Sequence, residues 1–85
     1  MTRIVIAQRG WVFVGHTADE GDYLVLTNAR VVRRWGTTAG LGEIAAAGPI
    51  RETRLDPAGT VRLHQLAVVA QIDCEEEPWA QALQS

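Results

Sequence analysis

Residues 23–35 read Tyr-Leu-Val-Leu-Thr-Asn-Ala-Arg-Val-Val-Arg-Arg-Trp and decide the fold. β-Branched and aromatic residues dominate this run, which predicts a strand that is long for a small domain. Asn28 lies near its middle, where a bulge or a sharp bend would re-aim the second half. Curvature of that kind lets a short sheet close on itself. The run therefore predicts a strongly curved β-sheet.

Two shorter strands are expected before this run. Residues Arg3–Ala7 alternate around Ile4 and Ile6, and Trp11–Val14 is β-branched and aromatic. The polar stretch Gly15–Asp22 reads as a turn, in which Gly21 can adopt a positive φ.

Further strands are expected after residue 50. Glu52–Leu55 and Thr60–Leu63 read as a hairpin around a type I turn at Asp56–Gly59, with Pro57 at its second position. The apolar run Leu66–Ile72 has the length and composition of a central strand.

The helical signals are short. Residues Gly42–Ala47 can form one or two turns, which Gly48 ends and Pro49 prevents from continuing. Residues 75–85 form an acidic C-terminal tail that can make a short helix, and Trp79–Leu83 would pack as a lid or fray. The sequence thus predicts a single small β domain over residues 1–85. We expect a curved sheet or barrel of five to six short strands with one helical excursion.

Composition limits the function classes. Cys74 is the single cysteine, so no disulfide forms within the chain, and His16 and His64 are far apart in sequence; we expect no metal and no cofactor. There is no secretory signal and no apolar run of bilayer length, which predicts a cytoplasmic protein without a membrane partner. A domain this small has a small core, so we expect a homo-oligomer.

The charges are unevenly distributed. Residues 1–62 hold all eight arginines against six acids, whereas residues 63–85 hold four acids and no base. A net charge of −2 argues against nucleic acid as a partner, since that needs a broad basic surface, but it permits a focused anion pocket. The absence of lysine can reflect a GC-rich coding sequence, although that does not explain why Arg30, Arg33 and Arg34 cluster.

The candidate site follows the long strand. Guanidinium, indole, hydroxyl and glycine backbone groups fall within ten residues there and could hold an anionic, nucleotide-like ligand. The predicted ligand-binding residues are Arg33, Arg34, Trp35, Gly36, Thr37, Thr38, Gly40, Leu41 and Gly42. In a regular strand Arg33 and Arg34 would point to opposite faces, so one of them pairs with phosphate and another braces the loop or a neighbouring subunit. The alternative is a solvated edge whose charge prevents sheet extension.

Catalysis finds little support in the sequence. The acids around Cys74 would raise its pKa and blunt it as a nucleophile. No Ser/His/Asp or Cys/His grouping is visible, and the acids at 75–77 read as a solvated run. We therefore expect no enzyme activity and no catalytic residue.

Several segments resemble a set of small phage and prophage proteins. They read Arg-Gly-Trp-Val-Phe-Val-Gly (9–15), Leu-Thr-Asn-Ala (26–29), Arg-Trp-Gly-Thr-Thr (34–38), Gly-Leu-Gly (40–42), Gly-Pro (48–49) and Thr-Arg-Leu-Asp (53–56). The resemblance spans most of residues 3–74, with Trp-Gly-Thr-Thr-x-Gly-Leu-Gly its most specific part. It implies a viral or prophage origin and expression in the cytoplasm of a bacterial host.

Three hypotheses follow. The site chemistry looks like that of viral sponges, which sequester nucleotide second messengers of bacterial immunity without cleaving them; the likeness is an analogy of architecture. The second is a structural or virion accessory protein that assembles through its Trp/Arg surface. The third is an inhibitor of a host enzyme that docks through the acidic segment Asp73–Glu77.

Overall fold

The computed structural model describes residues 1–36 and 40–84. Within them, five strands form one antiparallel sheet with the order β4-β3-β2-β1-β5. The strands are β1 Thr2–Ala7, β2 Val12–Glu20, β3 Tyr23–Arg34, β4 Arg54–His64 and β5 Val68–Asp73; the helices are α1 Leu41–Ala47 and α2 Glu76–Ala82. Short 3₁₀ turns at Gln8–Gly10 and Gln65–Ala67 join β1 to β2 and β4 to β5. The mostly β prediction is confirmed. Since β4 and β5 are unpaired edges of the described sheet, it is a curved sheet and the barrel alternative is wrong.

The long strand bends where the sequence predicts. Asn28 has a φ of 50°, a left-handed conformation that Asn tolerates better than most residues. The pairing of β3 with β4 shifts register between Leu26 and Ala29, and its pairing with β2 shifts between Val14 and His16. Such bulges increase twist, which curves the sheet.

Strand β2 is longer than predicted. It continues from Gly15 to Glu20, paired along its length with the first half of β3, and the turn is confined to Gly21 and Asp22. The end of this strand is exposed to solvent and therefore carries polar residues. Their composition resembles that of a loop, which is why the sequence predicts a turn here. Gly21 has the predicted positive φ, 60°.

The predicted hairpin at residues 52–63 is wrong. Strand β4 runs without reversal from Arg54 to His64 and pairs with β3 throughout. The Asp56–Gly59 segment is an irregularity inside the strand, where Gly59 has a φ of 70° and the register shifts. Pro57 is tolerated because an edge strand has one side with no ladder partner.

The predicted central strand at Leu66–Ile72 lies instead at the sheet edge. Strand β5 begins at Val68 and pairs with β1. Leu66 belongs to the preceding turn and is 83% exposed. The apolar run is therefore in part a surface feature.

The sheet buries a different cluster on each face. One face packs against both helices and contains Ile4, Val12, Val14, Val32, Ile44, Ala45, Cys74, Trp79 and Leu83. The inner face contains Val5, Ala7, Phe13, Leu24, Leu26 and Ala29. No described helix residue belongs to the inner cluster, so its burial comes from the curvature of the sheet itself.

The C-terminal tail docks as a helix. Trp79 of α2 is fully buried, and its Nε1 donates to the Ile44 carbonyl of α1 at 2.8 Å. The Asn28 side-chain amide and the buried Arg30 guanidinium both donate to the Leu83 carbonyl. These contacts tie the end of α2 to the bend of β3. No helix in the described ranges is long and apolar enough to span a membrane.

Candidate functional site

Three arginines surround one hollow at the end of the β3–β4 pair. Arg33, Arg34 and Arg54 line a space of about 380 Å³, together with Leu55 and Asp56. We call this set of three side chains the arginine cluster. It brings together three of the eight arginines of the chain, and two of them, Arg33 and Arg34, belong to the predicted site.

The strand pairing assembles the cluster. Strand β3 ends where the antiparallel β4 begins, so Arg34 stands opposite Arg54 in the ladder. Regular alternation would send Arg33 and Arg34 to opposite faces. The register shifts between Val32 and Arg34, however, and both residues line the same hollow.

The cluster carries more positive than negative charge. Arg33 Nη1 lies 3.3 Å from Asp56 Oδ2, in an exposed pair of the kind that contributes little to stability. Arg54 Nη1 donates to the carbonyls of Arg51 and Thr53 at 3.0 and 3.3 Å. Within the described residues the Arg34 guanidinium has neither an ion pair nor a hydrogen bond. Among the described residues that line the hollow, a single carboxylate thus accompanies three guanidinium groups.

Trp35 lies beside the cluster with its ring partly in solvent. The residue is 41% exposed, while its carbonyl accepts a 2.7 Å hydrogen bond from the hydroxyl of the buried Thr53. That hydroxyl also accepts from the Ile50 backbone N–H at 3.0 Å. The backbone at Trp35 is thereby fixed, and the indole is presented at the rim rather than buried in the core. It does not itself line the arginine hollow.

The three glycines among the predicted ligand-binding residues have different structural roles. Gly36 has a φ of 75°, and a Cβ there would stand 2.6 Å from the Glu52 carbonyl carbon, so close packing requires glycine. Gly40 and Gly42 lie at the start of α1, and Leu41 packs against the helix-covered core. None of these four residues lines the arginine hollow. Thr37 and Thr38 lie outside the described residues.

Sequence reasoning missed Arg54 and Asp56 as members of the site. Reading residues 52–63 as a hairpin paired β4 with itself instead of with β3, which hid the opposition of Arg34 and Arg54. Arg30 is close to Arg33 and Arg34 in sequence, but it is buried, with only 7% of its surface exposed. Its guanidinium donates to the Leu83 carbonyl and so links β3 to the end of α2.

A second polar group lies at the start of β1. The Thr2 hydroxyl is 3.1 Å from His16 Nδ1 and donates to Glu76 Oε2 at 3.0 Å. This Thr/His/Glu arrangement has the residue types of a nucleophile with a base, but Thr2 is fully buried. A substrate could not reach the hydroxyl without moving α2, so the group fastens α2 to β1.

Burial raises the pKa of the Cys74 thiol to about 11, with smaller contributions from Glu76 and Asp73. The predicted direction is confirmed, and desolvation is the main cause. Such a thiol is almost fully protonated at neutral pH and is a poor nucleophile. Within residues 1–36 and 40–84, no three His, Cys, Asp or Glu side chains are placed to share a metal ion.

Comparison with known protein families places the chain in a family. A family model described as "Domain of unknown function (DUF6948)" matches residues 2–82. No curated protein matches the chain.

Proposed function

We propose that this chain, which belongs to the DUF6948 family, is a binding protein that holds a nucleotide-derived anion at the arginine cluster without transforming it. The observation that carries the proposal is the convergence of Arg33, Arg34 and Arg54 on one hollow with a single carboxylate. Guanidinium groups stay charged at all physiological pH values and match phosphate oxygens in a bidentate fork. An excess of them at one place favours an anionic ligand.

The exposed indole of Trp35 supports a ligand with a ring as well as a phosphate. Aromatic side chains at the rim of a basic groove stack on bases, a contact worth roughly 1–3 kcal/mol. Trp35 directly follows Arg34, and the Thr53 hydrogen bond holds its backbone in place. A nucleotide whose phosphate meets Arg34 and Arg54 could therefore lay its base on the Trp35 ring.

Sequestration is proposed rather than turnover because the described residues that line the hollow include no activated group. Its carboxylate, Asp56, is paired with Arg33. The low-reactivity thiol of Cys74 packs in the helix-covered core. Together with the resemblance to phage proteins, this favours a sponge for a nucleotide second messenger of bacterial immunity, working in the host cytoplasm.

The test is thermal unfolding with cyclic dinucleotides and cyclic ADP-ribose isomers as probes. A ligand at 100 times its dissociation constant adds roughly 2.7 kcal/mol to stability, which a melting curve resolves. We expect Arg34→Ala and Arg54→Ala to abolish the shift. Arg62→Ala is the matched control, since Arg62 lies on β4 like Arg54 but forms an ion pair with Glu20. No shift with any probe, or a shift that survives both cluster variants, would refute the proposal.

Assembly through the Trp/Arg surface is the second candidate, and the exposed ring of Trp35 outside the hollow favours it. Trp and Arg are common hot-spot residues of protein interfaces. Trp35→Ala separates the two functions. It should weaken ligand binding and leave the oligomer intact under the first proposal, and dissolve the oligomer under the second.

The inhibitor hypothesis loses part of its docking element in this structure. Glu76 of the acidic segment is exposed but accepts two hydrogen bonds from Thr2, so its carboxylate is already engaged in holding α2 in place.

A further inference from the structure

An apolar hollow opens on the inner face of the sheet. It has a volume of about 440 Å³ and is lined by Ala7, Gln8, Trp11, Phe13, Leu63 and Ala67, none of them charged. The Trp11 ring stacks on Phe13 with centroids 5.8 Å apart and planes within 5°, yet Trp11 remains 54% exposed. A large aromatic side chain thus stands half-covered at the rim.

An apolar side chain protrudes beside this hollow. Leu66 precedes the lining residue Ala67 and is 83% exposed. The Gln8 side-chain amide donates to the Leu66 carbonyl at 3.4 Å, which links the turn that carries Leu66 to the turn before Trp11. A protruding leucine and an apolar recess therefore lie side by side on one surface.

The two turns that flank the hollow differ in charge. The Gln8–Gly10 turn presents Arg9, which is exposed and has a left-handed φ of 66°. The Gln65–Ala67 turn is bound to the acidic β2–β3 connection, because Gln65 donates to Asp22 O at 2.8 Å and to Asp19 Oδ1 at 2.9 Å. One flank is basic and the other is acidic.

We propose that this surface binds a second copy of the chain about a two-fold axis that passes between Leu66 and the hollow. In an isologous interface, groups on one side of the axis meet groups from the other side of the partner. Leu66 of each protomer then enters the apolar hollow of the other, and Arg9 faces the partner's Asp22. One surface thus provides both an apolar contact and an opposite-charge contact to the second copy. The proposal is independent of what binds at the arginine cluster.

Sedimentation velocity over a range of protein concentrations tests the apolar part. We expect a monomer–dimer equilibrium whose dissociation constant rises at least about tenfold in Leu66→Asp, the size of a hot-spot loss. Val69→Asp is the matched control, because Val69 is also exposed, at 66%, but lies in the edge strand β5 and not in the turn beside the hollow. Far-ultraviolet circular dichroism of each variant checks that the sheet is retained.

A charge exchange tests the two-fold geometry. Arg9→Glu alone places two acids opposite each other, and Asp22→Arg alone places two bases opposite each other, so each variant should dimerise at least about tenfold more weakly. An equimolar mixture of the two variants restores both opposite-charge pairs and should recover a 1:1 heterodimer. A dimer indifferent to all of these changes would overturn the proposal.

The remaining outcome is a wild-type protein that is monomeric at about 1 mM, which also overturns the proposal. In that case N-phenyl-1-naphthylamine, an uncharged aromatic probe, identifies the other occupant. Its fluorescence would rise with the wild type and not with Ala67→Trp, which fills the hollow, and the site would then be one for a small apolar ligand.

Discussion

Glu76 accepts two hydrogen bonds from Thr2, one from its backbone N–H at 2.6 Å and one from its hydroxyl at 3.0 Å. Through this pair the first turn of α2 is fastened to the first residue of β1. The contact joins two distant parts of the chain and leaves the buried polar atoms of Thr2 with partners. It also makes the docking of α2 dependent on the charge of one carboxylate.

The stability of the protein should fall at acid pH through Glu76. The hydrogen bonds from Thr2 hold the pKa of this carboxyl below its ordinary value, assisted by the charges of the N-terminus and of His16. A group whose pKa is lowered by folding contributes stability above its unfolded pKa and loses it as pH falls towards the folded pKa. In urea titrations at several pH values, we expect the unfolding free energy of the wild type to exceed that of Glu76→Gln at pH 7. The two unfolding free energies should converge in the acid range. A difference that stays constant with pH would contradict this assignment.

Truncation of two leucines should change the unfolding free energy by very different amounts. Leu83 is 1% exposed in the helix-covered core, whereas Leu66 is 83% exposed. Leu83→Ala should cost roughly 2–5 kcal/mol of unfolding free energy, since it removes buried contacts and leaves a cavity. Leu66→Ala should change it by less than about 0.5 kcal/mol at protein concentrations that favour the monomer. Equal losses in chemical denaturation would show that α2 does not dock as described.

Two glycines should respond with opposite signs to alanine. At Gly36 a Cβ would meet the Glu52 backbone at 2.6 Å and would also require a φ of 75°. We expect Gly36→Ala to destabilise the protein by roughly 1–3 kcal/mol. Gly42 lies inside α1, with no described atom within 4 Å of its Cβ position. Gly42→Ala should stabilise the protein by about 0.5–1 kcal/mol, through helix propensity.

Cys74 should be protected from thiol reagents in the folded protein. Its residue is 8% exposed and burial raises its pKa to about 11, so little thiolate exists at pH 8. Reaction with a disulfide reagent should be slow in native buffer and fast in concentrated denaturant. Leu83→Ala should accelerate the native reaction, because both side chains belong to the same core cluster. Rapid labelling of the native wild type would contradict the described packing.

Features governed by local chemistry could be predicted from the sequence. Asn28 tolerates a left-handed backbone, and its neighbours are strong strand formers, so the bend is encoded within a few residues. The short helix before Gly48 likewise follows from a nearby stop signal; Gly48 has a φ of 85° and caps α1. Trp35 was predicted at a rim because it ends a strand among polar residues, and it is partly exposed.

Features that depend on pairing partners could not be predicted in this way. A Pro57–Gly59 segment suits a tight turn or a strand irregularity equally well, and only the extended partner β3 selects the second. The apolar residues of β5 suit a central or an edge strand, and the sheet order decides between them. The position of Arg54 opposite Arg34 is a matter of register between strands that are separated by a helix in the chain.

The amino-acid sequence by itself determined that this protein is a small, mostly β domain with a bent strand leading into an arginine- and tryptophan-bearing segment, because strand propensity, turn chemistry and side-chain type act over a few residues. Only the tertiary structure decided which arginines share a hollow, which apolar run is exposed and how the C-terminal helix is fastened. Those relationships depend on the register between distant segments and on which surfaces the folded chain buries.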